Sequence, residues 1–207
     1  MTSAGNARGG KAPALFGGLG ITVAEVKVLL LRGVNVAGAN RLPMPEFRAM
    51  LGDLGLRDVG THIQSGNAVC TDPGVPDLAA KIGAAMLARF GFSPALFILG
   101  LAEYKAVLAA NPYRRQGIAD GAKVHVFFLA APANGTDQVG MAAIKAADEA
   151  FTLTGSALYL LAPAGSGRSV LVDKLDRFVK VPMTARNQRS CEIILTMAEA
   201  IGTPAQA

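Results

Sequence analysis

The sequence predicts an α+β protein in which a β-α-β-β-α-β unit occurs twice, with antiparallel sheets and an additional C-terminal helix. Three observations support this fold class. Two segments have the same order of strand-like and helix-like stretches, a polar Gly-containing stretch separates them, and helical spacing of apolar residues resumes near the C-terminus. The β-α-β-β-α-β order is that of the ferredoxin-like fold, so we expect two ferredoxin-like halves.

The first predicted half covers residues 25–110. It begins with VKVLLL, a continuous apolar run typical of a strand that is buried on both faces. A helix is predicted in PMPEFRAMLGDLG, which has prolines near its start and Gly55 as its stop signal. Residues 58–71 then alternate around QSGN and predict a hairpin. A second helix carries an apolar residue at every fourth position from Leu78 to Phe90, and SPALFILG returns to strand.

The second predicted half covers residues 122–203, after a short helix ending at Pro112 and a linker over residues 111–121. AKVHVFFLA predicts a strand, TDQVGMAAIKAAD a helix, FTLTGSALYLLAP a hairpin and SVLVDKLDRFVK a helix. Where a fourth strand should follow, the sequence indicates only a final helix ending at Gly202. The apolar character of VHVFFLA and ALYLLA predicts strands that are covered on both faces.

Composition limits the class of protein. The chain has 207 residues, 51% of them hydrophobic, and no apolar run approaches the ~20 residues that a membrane-spanning helix needs. Residues 1–24, rich in Gly and Ala, are expected to be a disordered extension without signal-peptide features. Cys70 and Cys191 are far apart in the sequence and predict buried, reduced thiols in a cytoplasmic protein. With two histidines and no paired cysteines, we expect no metal site and no cofactor.

The positive charge is concentrated near the C-terminal end. The net charge of the chain is +5. Residues 165–191 contain two acidic residues, Asp173 and Asp176, and six basic ones, and so contribute +4. This stretch predicts either an anionic partner or a solvated helix face, and the composition leaves both open. The basic residues are Arg168, Lys174, Arg177, Lys180, Arg186 and Arg189.

Two polar loops are predicted to meet at one end of the first sheet. RGVNVAGAN follows the first strand and QSGN follows the second, and a right-handed β-α-β crossover places the ends of those strands at the same edge. Open glycine N–H groups and a helix N-terminus would suit an anion there. Asn and Gly also favour turns in which the loops only brace each other, and both interpretations remain open. The residues expected at this rim are Arg32, Gly33, Asn35, Gly38, Asn40, Arg41, Gln64, Ser65, Gly66 and Asn67.

Three ordered motifs resemble a known family. LLLRGVNVAGANRLPM, THIQSGNAVC and MTARN are similar to the RG-[IV]-N-V-G-G loop, Y-I-Q-S-G-N hairpin and T-x-R-N segment of the bacterial family called domain of unknown function 1697, DUF1697. The resemblance implies two ferredoxin-like halves and no established activity. It adds Thr184, Arg186 and Asn187 to the candidate ligand-binding residues. Ala37 and Gln188 depart from the motifs; the first would stiffen the loop, and the second removes an expected aromatic.

Three functional hypotheses follow. The first is binding of an anionic ligand, a nucleotide or nucleic acid, at the rim or the basic stretch, helped by a small stacking platform of Phe127 and Tyr159. The second is an enzyme acting on a small polar substrate, with His62, Ser65 and Arg32 as its candidate residues. The third is a structural protein or homodimer without a ligand site. The sequence contains no phosphate-loop, nucleophile-elbow or metal-ligand motif.

Overall fold

The structure is a computed structural model that describes residues 24–36, 38 and 40–202. Of the predicted extension over residues 1–24, all but Ala24 lie outside the described residues, as does Ala37. The first half contains β1 (Glu25–Leu31), α1 (Met44–Asp53), β2 (Arg57–His62), β3 (Asn67–Asp72), α2 (Leu78–Phe90) and β4 (Leu96–Gly100). Helices α3 (Leu101–Ala109) and α4 (Arg114–Ala119) follow. The second half contains β5 (Val124–Leu129), α5 (Gln138–Ile144), β6 (Ala150–Leu153), β7 (Ala157–Leu161), α6 (Val170–Phe178) and β8 (Met183–Asn187), and α7 (Gln188–Gly202) follows β8.

Each half contains one four-stranded sheet. The strand orders are β2-β3-β1-β4 and β6-β7-β5-β8, and each hydrogen-bonded pair of strands is antiparallel. In this topology β1 and β2 run in the same direction with β3 between them, which is the split β-α-β arrangement. The prediction of duplicated ferredoxin-like halves with antiparallel sheets and a C-terminal helix is confirmed.

The second sheet does have a fourth strand, so the expectation that only a helix follows α6 is wrong. Strand β8 pairs with β5, with Arg186 opposite Val126 and Ala185 opposite Phe127. It lacks an apolar alternation because Thr184 and Arg186 are buried through hydrogen bonds. Helix α7 begins directly at Gln188 without a loop.

Three apolar clusters arrange the elements in layers. One outer cluster packs α1 and α2 against the first sheet through residues such as Leu29 and Phe47. The other packs α5 and α6 against the second sheet. Between the sheets lies an inner cluster that α3 and α7 share with both, and it includes Leu30, Phe128 and Ile194. Both faces of both sheets are therefore covered, as the apolar character of β5 and β7 predicts.

The predicted aromatic platform is absent from the described residues. Tyr159 is opposite Val126, and Phe127 is opposite Leu158, so the two aromatic side chains point to opposite faces of the sheet. Phe127 is 6% exposed in the outer cluster, and Tyr159 is fully buried in the inner one. The Tyr159 hydroxyl donates to the carbonyl O of Val107 over 2.8 Å. Neither ring offers a surface on which a base can stack.

The residues of the predicted linker, 111–121, include helix α4 and pack against α7. The Asn111 amide donates to Oε1 of Gln188 over 2.8 Å. Arg114 forms a two-pronged ion pair with Glu192 at 2.8 and 2.9 Å. This pair lowers the pKa of the Glu192 carboxyl, mainly through the hydrogen bond from Arg114.

Both cysteines are free and buried, Cys70 in the outer cluster of the first half and Cys191 in the inner cluster. Burial raises the pKa of each thiol to about 12. In the part of the chain that the structure describes, no helix has the length and apolar composition to cross a bilayer. Within the same residues, no cluster of three or more His, Cys, Asp or Glu side chains could hold a metal ion.

Candidate functional site

The two polar loops of the first half are held together by Asn35. Its amide donates to the carbonyl O of Leu42 over 2.9 Å and to the carbonyl O of Gln64 over 2.8 Å. Its Oδ1 accepts the Leu42 N–H over 2.8 Å. One side chain therefore closes the first loop and joins it to the β2–β3 turn, and the prediction that RGVNVAGAN and QSGN meet is confirmed.

The first loop also closes on itself through Asn40. The Asn40 amide donates to the carbonyl O of Gly33 over 3.0 Å, and its carbonyl O accepts the Asn35 N–H over 3.1 Å. Both asparagines have left-handed backbones, with φ of 54° at Asn35 and 48° at Asn40. Asn tolerates this conformation better than other non-glycine residues, which accounts for its use at both positions.

Gly66 allows the turn to pack directly against the end of β1. Its φ is +69°, and a Cβ added there would lie 2.6 Å from Cγ2 of Val34 and 2.7 Å from Cβ of Leu31. Its carbonyl O accepts the Leu31 N–H over 2.9 Å. Both the backbone conformation and the close approach require glycine. Gly33 and Gly38, in contrast, have positive φ with open space around them.

Arg186 brings the third motif to the same place. The side chain projects from β8 of the second half and is 8% exposed. Its Nη2 donates to the carbonyl O of Leu31 over 2.8 Å and to that of Ser65 over 3.0 Å. Its Nη1 donates to Oγ1 of Thr184 and to the carbonyl O of Ala185, and its Nε donates to Oδ1 of Asn67. The five donors of the guanidinium are thus used within the protein.

No carboxylate is among these five acceptors. Burial lowers the pKa of the Arg186 guanidinium to about 10, because it removes the charge from water. The charge is held by oriented neutral dipoles, chiefly backbone carbonyls at the end of β1 and in the β2–β3 turn. Arg186 therefore acts as a clasp between the two halves and leaves positive charge beside the rim.

A cleft of about 320 Å³ lies between the halves at this clasp. Its mouth is crossed by an ion pair between Arg32 of the first half and Asp176 of α6, with Nη2 3.1 Å from Oδ2. Both side chains are exposed, Asp176 more than Arg32. The cleft is lined by Leu31, Arg32, Gly33, Val34, Val36 and Ser65 from the first half, and by Phe127, Val172, Leu175, Asp176, Met183, Thr184, Ala185 and Arg186 from the second.

The predicted site residues fall into four groups. Arg32, Gly33, Ser65, Thr184 and Arg186 line the cleft. Asn35, Gly66 and Asn67 hold its loops from behind, and Gly38 and Asn40 lie on the exposed part of the first loop. Asn187 is directed elsewhere, since its Oδ1 accepts the Ser190 N–H over 2.8 Å and caps α7.

The histidines do not line this cleft. His62 lies on β2, and partial burial lowers its pKa. His125 lies on β5 with Nε2 3.2 Å from Oγ of Ser166, and burial lowers its pKa as well. Its Nδ1 is buried without a hydrogen-bond partner among the described residues. The group proposed for catalysis, His62 with Ser65 and Arg32, is therefore not assembled around the cleft.

Sequence reasoning missed Asp176 and the apolar wall. In the sequence, Asp176 is one of two acidic residues in the basic stretch over residues 165–191. Its ion-pair partner, Arg32, lies 144 positions away, so no local pattern links the two. Leu175 follows the ordinary helical spacing of core residues, so its pattern does not distinguish a cleft wall from a core. Met183 lies on β8, which no apolar alternation marks. The sequence gives one hint of Asp176, which is an acidic residue directly after the core residue Leu175 on α6.

Comparisons with known proteins agree with the fold. The structure is similar to that of the conserved bacterial protein SP0830 from Streptococcus pneumoniae, with a TM-score of 0.64 and 24% sequence identity. The match covers 85% of this chain and 99% of that one. A comparison with curated proteins finds no match.

The sequence also matches a family profile. The matched residues, 25–159, include the first two motifs and end in β7, before Thr184 and the third motif. The match spans more than half of the chain, and the family is described as protein of unknown function, DUF1697. The resemblance seen in the motifs is thereby confirmed, and the chain belongs to the DUF1697 family.

Proposed function

We propose that the cleft between the halves binds a small organic anion, a carboxylate or phosphate monoester with an apolar body. The observation that carries this proposal is the exposed ion pair of Arg32 and Asp176 at the mouth of an apolar cleft. A cleft of about 320 Å³ is at the lower end of the sizes found for ligand pockets. It has room for a single ring or short chain with one charged group.

The apolar body would contact the wall from the second half. Phe127, Val172, Leu175 and Met183 line that side, and Val34 and Val36 face them from the first half. Val36 is 60% exposed, so its apolar surface is open to contact with a ligand. A ligand seated there would remove apolar surface from water.

The anionic group would pair with Arg32. Exposed ion pairs contribute only about 0.2–1 kcal/mol, so a ligand carboxylate can displace Asp176 at little cost. Arg186 adds positive charge to the cleft wall even though its hydrogen bonds are already used. The carboxylate of Asp176 thus stands where a ligand anion would bind.

Nucleic acid fits this site less well. Of the six basic residues in 165–191, Arg186 is buried, and Asp176 on the same stretch is already paired with Arg32. Single strands bind proteins through stacking on exposed aromatic rings, whereas Phe127 and Tyr159 are buried. We therefore favour a small molecule over an oligonucleotide.

Benzoate and phenyl phosphate are suitable probes, with benzyl alcohol as the neutral control. We expect both anions to shift the backbone NMR signals of Arg32, Val172 and Met183. Arg32→Ala should weaken benzoate binding about tenfold, because one charge-assisted hydrogen bond is lost. Asp176→Asn should tighten binding about two- to fivefold by removing the internal competitor. Arg41→Ala is the matched control, because Arg41 is an exposed arginine in the same loop that does not line the cleft.

The proposal is contradicted if neither anion perturbs these signals, or if Arg32→Ala and Arg41→Ala behave alike. Binding of an oligonucleotide with a steep salt dependence would instead favour the nucleic-acid hypothesis.

A further inference from the structure

The side-chain amide of Asn67 is oriented by Arg186. A guanidinium can only donate hydrogen bonds, so the Asn67 atom that receives Nε–H of Arg186 is the carbonyl oxygen Oδ1. The NH2 group of Asn67 must then face the other side. It donates to the carbonyl O of His62 over 3.2 Å and to Oγ of Ser65 over 2.9 Å. Asn67 is fully buried, so the alternative amide orientation would place two donors against each other.

The orientation of Asn67 decides the role of the Ser65 hydroxyl. Because Oγ of Ser65 accepts a hydrogen bond from Asn67, its own hydrogen has to point to a different acceptor. Of the hydrogen bonds formed by the residues that the structure describes, none uses this hydrogen. Ser65 is half-buried and lines the cleft beside Arg32. A hydroxyl donor is therefore left at the edge of the space between the halves.

We propose that Ser65 determines specificity by donating this hydrogen to an oxygen of the ligand, an inference that rests on the proposed binding of an organic anion. The bonds run in one direction, from Arg186 to Asn67, from Asn67 to Ser65 and from Ser65 to the ligand. The buried cation at the start polarises each bond toward the cleft. A ligand that presents only N–H groups at this point leaves the hydroxyl hydrogen without an acceptor and binds less tightly.

This role differs from that of Arg32. Arg32 is exposed and supplies charge, which attracts an anion without fixing its position. Ser65 is attached to the turn that Arg186 and Asn35 hold from both sides, through its own carbonyl O and that of Gln64. A donor on a turn fixed in this way can position one ligand oxygen. Charge from Arg32 and geometry from Ser65 together favour a carboxylate or phosphate oxygen over a simple halide ion.

Benzoate titrations of three serine variants test the inference. We expect Ser65→Ala to weaken benzoate binding about tenfold, since one hydrogen bond to a charged acceptor is lost. Ser65→Thr keeps the hydroxyl and should remain within about threefold of the wild type. Ser156→Ala, at an exposed serine in another part of the surface, is the matched control and should have no effect.

A second readout needs no ligand. In Ser65→Ala the side-chain NH2 signals of Asn67 should shift in the unliganded protein, because one of their two acceptors is removed. Unchanged Asn67 signals, or unchanged benzoate affinity of Ser65→Ala while Arg32→Ala binds weakly, would overturn the role of Ser65 and leave the proposed function standing. Failure of benzoate and phenyl phosphate to bind the wild type would overturn both.

Discussion

At the scale of single residues, most of the conspicuous side chains of the rim stabilise the loops. Asn35, Asn40 and Asn67 each hydrogen-bond backbone carbonyls of the two loops or of the end of β2, and Arg186 uses its five donors within the protein. The residues left to face a ligand are Arg32 and Ser65. The residues of the three motifs therefore chiefly hold the loops and the two halves together, and only a few of them are available to bind a ligand.

Gly66 offers a residue-scale prediction with a built-in control. Gly66→Ala should lower the free energy of unfolding by about 3 kcal/mol, because strain from its positive φ adds to overpacking against Val34 and Leu31. Gly55→Ala has a positive φ of +91° but open space, so it should cost only about 1 kcal/mol. Urea denaturation of both variants measures the difference, and equal losses would contradict the packing argument.

At the scale of elements, the sequence predicts the strands and helices that apolar side chains bury. VKVLLL identifies β1 because both faces of that strand contact apolar clusters. Strand β8 was missed because MTARN is buried by hydrogen bonds, which leave no apolar alternation. The rim was predicted because strand direction follows from topology. Asp176 was not, since an ion pair between halves depends on packing that no local pattern records.

Asn187 provides a prediction at this scale. It joins β8 to α7, and its Oδ1 caps the helix by accepting the Ser190 N–H. Asn187→Ala should lower the free energy of unfolding by about 1 kcal/mol and leave benzoate affinity unchanged. Asn134→Ala, at an exposed loop asparagine, is the matched control with little expected effect. A loss of benzoate affinity in Asn187→Ala would show that this residue contributes to ligand binding.

At the scale of the whole molecule, the inner cluster couples the two halves. Val28 and Leu30 of the first sheet, Val126 and Phe128 of the second, and Ile194 of α7 belong to one buried cluster. Separating the halves would expose this surface to water, which costs about 25 cal/mol for every Å² of apolar area. We therefore expect the two halves to unfold together.

The two cysteines report on this coupling. Cys70 lies in the outer cluster of the first half, and Cys191 lies in the inner cluster. The Cys191→Ala variant keeps only the Cys70 thiol, and the Cys70→Ala variant keeps only the Cys191 thiol. In both variants the thiol should begin to react with Ellman's reagent at the same urea concentration, measured relative to the unfolding midpoint of that variant. Reaction of Cys191 well before unfolding, with Cys70 still protected, would show that the halves separate first.

The placement of α7 has a consequence for the order in which the protein folds during synthesis. Helix α7 packs against β1, β2 and β3, yet it leaves the ribosome after every strand of both sheets. The outer cluster of the first half can form early from its own residues, whereas the part of its inner face that α7 covers stays exposed until α7 arrives. Until α7 is synthesised, the first half therefore exposes apolar surface that a chaperone could bind, and the packing of α7 ends that exposure.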